Sequence, residues 1–514
     1  MGADTDKISK PQIMTAKIIQ GKYILLVIFI LFFTILSVNR HYALKSYLHD
    51  LGNIDQVIWN TLHGNFFQTT SNLWQTGSYL GDHFSPILLV FVPFYALGLK
   101  IDFLLFFQSL AIGLSGLPIY EVARRKLKSN LYGLLFLILY FSYPVVHNAL
   151  LYDFHQIALG AFFLSFAFYF LVLKKEKLFL FFSLLAIFCQ EEIALLVFTL
   201  STYAFLKNRF RKTSLFLMVS SVIWFIIITS FLIPYFNNNE ESALSRYHWL
   251  GDDTFSILKN IVFHPLKVLE FLAFKGKFGE YIFGLFFPLA FLPLLSPLIL
   301  IVIPIIGANL LSSNLMMADI SFYHSVAIVP FIFFAAIYAL ERIKKKIYIT
   351  LMMICFAIIS VLFFSVTPFS LRYTFRDYLP SQNALEIEDI KGLIPQESSL
   401  SVQHNLGPHF SERREIYVFP KKTHKAEYVL VDLFDPYAEN PRQIFKFPYA
   451  LQISVKDWIK EIEKMFEDQN YGVVYWGDGY YLFKKGAKQN LNKDAFKDFQ
   501  FRKNIFVSST SIAD

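Results

Sequence analysis

Charge is missing from long stretches of this chain and gathered into the short stretches between them, and that pattern leaves few folds open. Tyr23–Val38, Leu215–Ile233 and Ile347–Val366 contain no Asp, Glu, Lys, Arg or His. Each approaches the ~20 residues with which a helix crosses ~30 Å of hydrocarbon. Between such runs stand compact polar clusters: His49-Asp50, Asp82-His83, Asp153-Phe154-His155 and Gln190-Glu191-Glu192. Ionisable groups at or near bilayer depth are costly, so by default they mark a functional site. The expectation is an α-helical polytopic membrane protein whose chemistry lies where these clusters meet.

Composition points the same way. The chain is 55% hydrophobic with 59 Phe, and only 17% charged, against about 25% charged in an ordinary soluble domain. The net charge of +8 does not imply a nucleic-acid partner: from Phe369 onward 20 Lys and Arg balance 20 Asp and Glu, so the excess lies in the membrane half. Cys189 and Cys355 sit in apolar runs far apart, which argues against a structural disulfide. Lys7, Lys10, Lys17 and Lys22 precede an apolar run that meets no small-x-small cleavage site, so it reads as a retained first span starting in the cytoplasm.

The basic runs set a topology. Arg124 to Lys128, Lys174 to Lys177, Lys207 to Lys212 and Arg342 to Lys346 are expected inside. External loops then cover 39–101 and 237–280. Phe103–Val122 and Ile157–Leu173 run inward, and Leu131–Leu150 runs outward. Pro86–Leu99 stays outside as a juxtamembrane or re-entrant helix. Leu178–Leu206 is basic at both ends and too short for two full crossings, which need about 40 residues. Two half-helices meeting at Gln190-Glu191-Glu192 resolve this. Tyr281–Leu311 has the same arithmetic, with a turn expected at Pro293, Ser296 and Pro297. Roughly ten membrane segments result, occupying 1–368, in a multi-pass protein of the cytoplasmic (inner) membrane.

The remainder reads as a small external α/β domain, 369–486, with a tail at 487–514 expected to be poorly ordered. Tyr428–Asp432 and Tyr471–Tyr475 look like buried strands, and Tyr480–Phe483 follows the turn Gly477-Asp478-Gly479. Val455–Phe466 has the apolar spacing of a surface helix.

The polar clusters also carry a resemblance. Tyr47–Gly64 reads YLHDLGNIDQVIWNTLHG, Asp82–Pro86 DHFSP, Leu151–Gly160 LYDFHQIALG, Cys189–Ala194 CQEEIA and Phe263–Pro265 FHP. Tyr323-His324 precedes Pro330, and Val402–Pro420 reads VQHNLGPHFSERREIYVFP. Together these resemble, over most of the chain, the predicted membrane proteins of domain of unknown function 2079. That family is more distantly similar to the C-type membrane glycosyltransferases, which take a sugar from a polyprenyl-phosphate carrier. The resemblance implies a C-type glycosyltransferase-like fold. It matches Asp50 to the acid of the first external loop, His83 to Pro86 to the segment before span two, and Asp153 to a second acid. A single Asp50 beside His49 stands where that pattern has two adjacent acids.

Such a transfer needs a base for the acceptor hydroxyl, cations or a metal for the departing phosphate, and exclusion of water. Asp50 suits the base; equally, Asp50 or Asn53 suits the N-cap of a helix running to Leu62. Asp55 falls away from Asp50 on a helical wheel and is expected to be solvated. Asp153 and His155 fit either a site role, orienting Asp50 or holding phosphate, or a polar turn between spans. His49, Asp50, His83 and Asp153 supply enough N and O donors for a divalent metal such as Mn or Zn, though no spacing specifies one. Glu191 and Glu192 cannot face lipid and need a cation or a water-filled cavity. Arg246, His248, His264, Lys267, Lys275 and Lys277 share the second external loop, and His324 opens a later span. Most of these cations are expected to meet water or headgroups, while Tyr247-His248-Trp249 suggests sugar stacking or ordinary interfacial aromatics. The substrate-binding set is therefore His49, His83, His155, Glu191, Glu192, His248 and His324. The preferred expectation is a glycosyltransferase acting outside the membrane from a polyprenyl-phosphate-linked sugar onto a glycan, lipid or protein. The alternatives are a transporter or flippase for a lipid-linked or small polar substrate, and a non-catalytic scaffold. No inverted repeat is visible, which favours the enzyme.

Overall fold

The computed structural model describes residues 10–72, 77–237, 243–274, 277–380, 382–433 and 455–510; Lys275 lies outside them. Five helices among these are long and apolar enough to cross a bilayer: Gln20–Tyr42, Ile101–Lys126, Arg211–Phe236, Tyr323–Arg342 and Lys346–Phe364. A sixth candidate is bent, Asn130–Phe141 meeting Pro144–Tyr152 at 45°. Pro144 has no N–H for the preceding turn and holds Tyr143 in extended backbone (φ −83°, ψ 121°), so the run expected as one straight span kinks there. Tyr323–Arg342 is the most enclosed of the five, whereas Arg211–Phe236 and Lys346–Phe364 turn most of their residues outward. The first two helices close tightly: a Cβ on Gly113 would stand 2.9 Å from Ile30 Cγ1, the close approach that small residues permit between membrane helices.

The other expected segments are shorter apolar helices. Glu176–Ile187 and Ile193–Leu206 rise about 18 and 21 Å, short of the ~30 Å core, and are joined by the break at 188–192. The hairpin after Phe278 turns earlier than expected. Pro288 cannot continue the helical ladder, and the chain reverses at Ala290 and Phe291, both at positive φ (54° and 56°). Ala290 N–H donates to Phe287 O and Phe291 N–H to Phe286 O, the reciprocal pattern that closes a helix C-terminus.

After a short antiparallel pair of β1 (Gln68–Thr69) and β2 (Gly77–Ser78), the other strands among the described residues lie in the C-terminal domain. They are β3 (Leu400–Val402), β4 (Ile416–Val418), β5 (Tyr428–Asp432), β6 (Tyr471–Gly477) and β7 (Tyr480–Lys485). Their order is β4-β3-β5-β7-β6, parallel among β4, β3 and β5 and antiparallel from β5 onward. Alternation along β5 sends Tyr428 and Leu430 to one face and Val429 and Val431 to the other, and each face has its own core. Leu430 packs with Leu400, Val402, Leu482 and the helix residues Ile387 and Ile390. Val429 and Val431 pack with Phe483, Ile459, Ile462, Ala495 and Phe499.

That second core corrects the expectation of a poorly ordered tail. Asn492–Thr510 is a helix whose Ala495 and Phe499 are fully buried against the sheet. Its polar composition hid two apolar residues one turn apart, which are enough to dock a helix onto an existing face.

The first core reaches into the membrane unit, because Leu44 and Leu48, just past the first helix, belong to it. Leu48 N–H donates to His404 O at 2.9 Å. A Cβ on Gly407 would stand 2.4 Å from Leu48 Cβ, so glycine is required for this approach. The sheet domain is thereby locked onto the turn that carries His49 and Asp50.

Candidate functional site

Leu48–Gly52 forms one wide π-helical turn before the helix Asn53–Leu62. Neither Asp50 nor Asn53 caps that helix. Asn53 Oδ1 accepts from the Thr69 and Ser71 hydroxyls instead, at 2.5 and 3.1 Å. The Asp50 carboxylate turns inward, where Oδ1 lies 3.3 Å from His155 Nε2 and Oδ2 accepts from the Tyr152 hydroxyl at 3.4 Å. The cap reading is thus replaced by a contact between two sequence clusters a hundred residues apart.

Asp153 and His155 arrive there because the helix Pro144–Tyr152 ends and Asp153 is fully extended (φ −160°, ψ 178°). Gln108, a lone amide in the span Ile101–Lys126, holds the turn: its Oε1 accepts from His155 N–H at 2.7 Å and its Nε2 donates to Asp153 O at 3.0 Å. The Asp153 carboxyl accepts the Tyr47 N–H at 3.0 Å. Burial and the charge of Asp50 push Asp153 well above the ordinary carboxylate value. Burial acts on Asp50 too, but the hydrogen bond from His155 and the rings of His155, His49 and His404 outweigh it and hold Asp50 below that value. Two neighbouring acids are thereby driven apart, the Asp50 carboxyl downward and the Asp153 carboxyl upward.

The DHFSP and CQEE clusters form a second group. His83 Nδ1 lies 3.0 Å from Glu191 Oε1, and Phe84 N–H donates to Glu191 Oε2 at 3.1 Å. Burial pushes His83 down, but Glu191 and Asp82 raise it to about 9, so it is a cation at neutral pH. Glu192 is half-buried beside this pair.

Tyr323 joins the two groups. Its ring lies flat on His155, centroids 3.3 Å apart, and His324 follows at 4.3 Å. Arg246 acts electrostatically on Tyr323, His324, His83 and Glu192 alike, so it stands among them. Half-buried Arg246 therefore lies within electrostatic reach of the cluster, and nothing in its sequence neighbourhood set it apart. Gln108 could have been singled out, since an amide inside an apolar span needs a reason.

The C-terminal domain adds to this region. His404, at the carboxyl end of β3, stacks on Tyr47 (5.4 Å) and faces His49 and Asp50; burial, with His49 next, lowers it to about 3, so it is neutral. His409 serves as an anchor, stacked on His41 at 4.1 Å. His49 is half-buried, and its Nδ1 makes no hydrogen bond.

Three expectations change. His248 is solvent-exposed and pairs with Asp252 at 3.0 Å, apart from the acids; its neighbours Tyr247 and Trp249 donate to Ala308 O and Leu311 O, as structural aromatics do. Asp55 is fully buried, accepting from Tyr95 and Ser411 hydroxyls at 2.7 and 2.6 Å; the sheet domain covers a helix face that looked free in the sequence. The proposed metal donors do not converge: His83 belongs to Glu191, Asp50 to His155, and Asp153 to a backbone N–H. Among the described residues no three His, Cys, Asp or Glu side chains form a metal-holding group.

The fold and the cluster define a polytopic helical membrane protein with buried acids and histidines gathered around Tyr323 under a small sheet domain. The chain belongs to the predicted membrane proteins of the DUF2079 family, whose model matches residues 40–482. Among solved structures it is similar to ArnT from Cupriavidus metallidurans, crystallised with undecaprenyl phosphate, at 13% identity over 91% of this chain and 99% of that one, with a TM-score of 0.49. No curated protein matches the chain.

Proposed function

We propose that this protein is a membrane glycosyltransferase that moves a sugar from a polyprenyl-phosphate carrier to an acceptor outside the cytoplasmic membrane. The observation that carries the reading is the Asp50 carboxylate, ionised at neutral pH, with the cation Arg246 in electrostatic reach of both Tyr323 and the cationic His83. Asp50 takes the proton of the acceptor hydroxyl as its oxygen bonds to the sugar anomeric carbon. The bond from that carbon to the phosphate oxygen breaks, and the phosphate leaves on its lipid, its charge met by Arg246 and His83. His155 and Tyr152 orient Asp50. Asp153 is a positioning residue, since its carboxyl holds Tyr47 N–H and with it the Asp50 turn. His49, His324 and Glu192 border the substrate space, and Glu191 keeps His83 charged. The reading includes roughly ten membrane segments, with basic loops in the cytoplasm and the sheet domain outside.

The transporter reading draws on the broken hairpin at 188–192, a device used for midplane binding sites. Glu191 argues against it, because both of its oxygens are occupied by His83 and the Phe84 N–H, and such a carboxylate is poorly placed to load and release cargo.

Asp50→Asn tests the proposal. It keeps shape and hydrogen bonding but removes a base whose contribution is typically ~10²–10⁴-fold in rate. The variant should insert at wild-type levels yet fail to restore the surface glycan or lipid-linked sugar that mass spectrometry finds altered on deleting the gene. Full complementation by Asp50→Asn would refute the role of Asp50. A deletion that alters no glycan or lipid-linked sugar would refute the transferase.

A further inference from the structure

The loop between Arg211–Phe236 and the next apolar hairpin holds two consecutive helices, Thr254–Phe263 and Pro265–Phe274. Asp253 opens the first by accepting from Phe255 and Ser256 N–H, and Pro265 forces the break at His264. One side of the pair is packed: Ile257, Ile261, Val268, Phe271 and Leu272 cover Leu250, Trp249 and Leu311, with Trp249 stacked on Phe271 at 4.1 Å.

The other side is equally apolar but uncovered. Phe255, Leu258, Val262, Phe263, Leu266 and Leu269 are between 57% and 80% exposed. A helix apolar on all sides is a buried helix or one in lipid. What covers this one follows from its setting. In sequence it sits between surfaces that already face outward from membrane helices, with Phe231 and Tyr235 before it and Phe278 and Phe283 after it. Its charged residues are Lys259, Lys267 and Glu270, and Lys267 Nζ donates to Trp249 O at 2.6 Å. An apolar face with excess lysine at its margin is complementary to acyl chains beneath anionic headgroups.

We propose that residues 254–274 form a lipid-immersed helix pair lying in the headgroup and acyl boundary, with Arg246, on the turn Ala243–Tyr247 that precedes it, facing the acid cluster. The pair is packed on Tyr247 and Trp249, so the bilayer that holds it also sets the position of Arg246. This inference rests on the membrane location of the chain and not on its chemistry, so it stands or falls separately from the transferase reading.

The test uses the full chain with exposed Cys355 replaced, Cys355→Ala, leaving Cys189 buried. Val262→Cys, Leu266→Cys and, on the surface of the sheet domain, Lys460→Cys each carry an environment-sensitive fluorophore in phosphatidylcholine and phosphatidylglycerol vesicles. Spin-labelled lipid should quench the labels at 262 and 266 several-fold more than the label at 460, and aqueous iodide should show the reverse order. Iodide quenching at 262 and 266 equal to that at 460 would place the pair in water and overturn the proposal. Protection from both quenchers would mean that protein covers it, a second copy or another chain, and would overturn it equally. Phe255→Cys repeats the measurement if either first variant fails to fold.

Discussion

Replacing Asp55 by Asn should stabilise the protein at pH 8. Asp55 is fully buried where the helix Asn53–Leu62 meets the sheet domain. Burial and the nearby charge of Glu412 raise its carboxyl from 3.8 to about 7. Because the folded value lies above the unfolded one, the folded state binds more protons between about pH 4 and pH 7. Stability attributable to this group therefore falls as pH rises through that window and stays at its lowest above it. Ionising Asp55 in the folded protein costs on the order of 4 kcal/mol at the upper end, at 1.36 kcal/mol per pH unit. Because Glu412 shares the cost, Asn should recover roughly 2–4 kcal/mol at pH 8 and about two-fifths of that, roughly 1–1.5 kcal/mol, at pH 5. The amide fits the site: Oδ1 accepts from Tyr95, Nδ2 donates to Ser411 Oγ, and the Ser411 proton turns to Pro408 O, already 2.9 Å away. Thermal unfolding of both proteins in one detergent, followed by tryptophan fluorescence from pH 5 to pH 8, reads the difference; the other titrating groups cancel between them. A variant less stable than wild type at pH 8, or a difference that does not change with pH, would refute the reasoning.

Glu191→Gln removes the charge that keeps His83 protonated. The His83 value of about 9 lies above the ordinary 6.5, so the lost stability, roughly 2–4 kcal/mol for a mostly buried pair, should be fully present below pH 6.5. It should shrink as pH rises through about 9, as melting at pH 6 and pH 9.5 would show. Gly407→Ala drives a methyl to 2.4 Å from Leu48 Cβ and should lower stability by about 1–3 kcal/mol, read as earlier proteolytic release of the sheet domain; Gly392→Ala, with open space around it, should not. Single cysteines at Asn65 should react with an impermeant thiol reagent in intact cells, and those at Lys128 and Lys345 only after lysis. Labelling of the Lys128 position in intact cells would overturn the orientation.

Much of the architecture follows from local pattern alone. Uncharged runs of spanning length, basic clusters between them, a basic-flanked segment too short for two crossings, and the strand and helix periods after Tyr428 are one-dimensional signals, and one-dimensional physics reads them. The acids stood out for the same reason: a carboxylate in an apolar neighbourhood is conspicuous without any fold. Partnership is different. Whether Asp50 caps a helix or meets His155 depends on a turn set by Leu48 entering the sheet domain and on Gln108 holding the Asp153 backbone from another helix. Asp55 looked solvated because a helical wheel shows only its own helix, and the covering surface, Ser411, comes from more than three hundred residues away. Arg246 resembled its neighbouring cations, and only the docking of its turn on Ser313 and Met317, which brings it within electrostatic reach of Tyr323 and His324, distinguishes it. Burial and electrostatics are set by whatever the whole chain brings close, and so the tertiary structure alone decided which of the conspicuous residues act together.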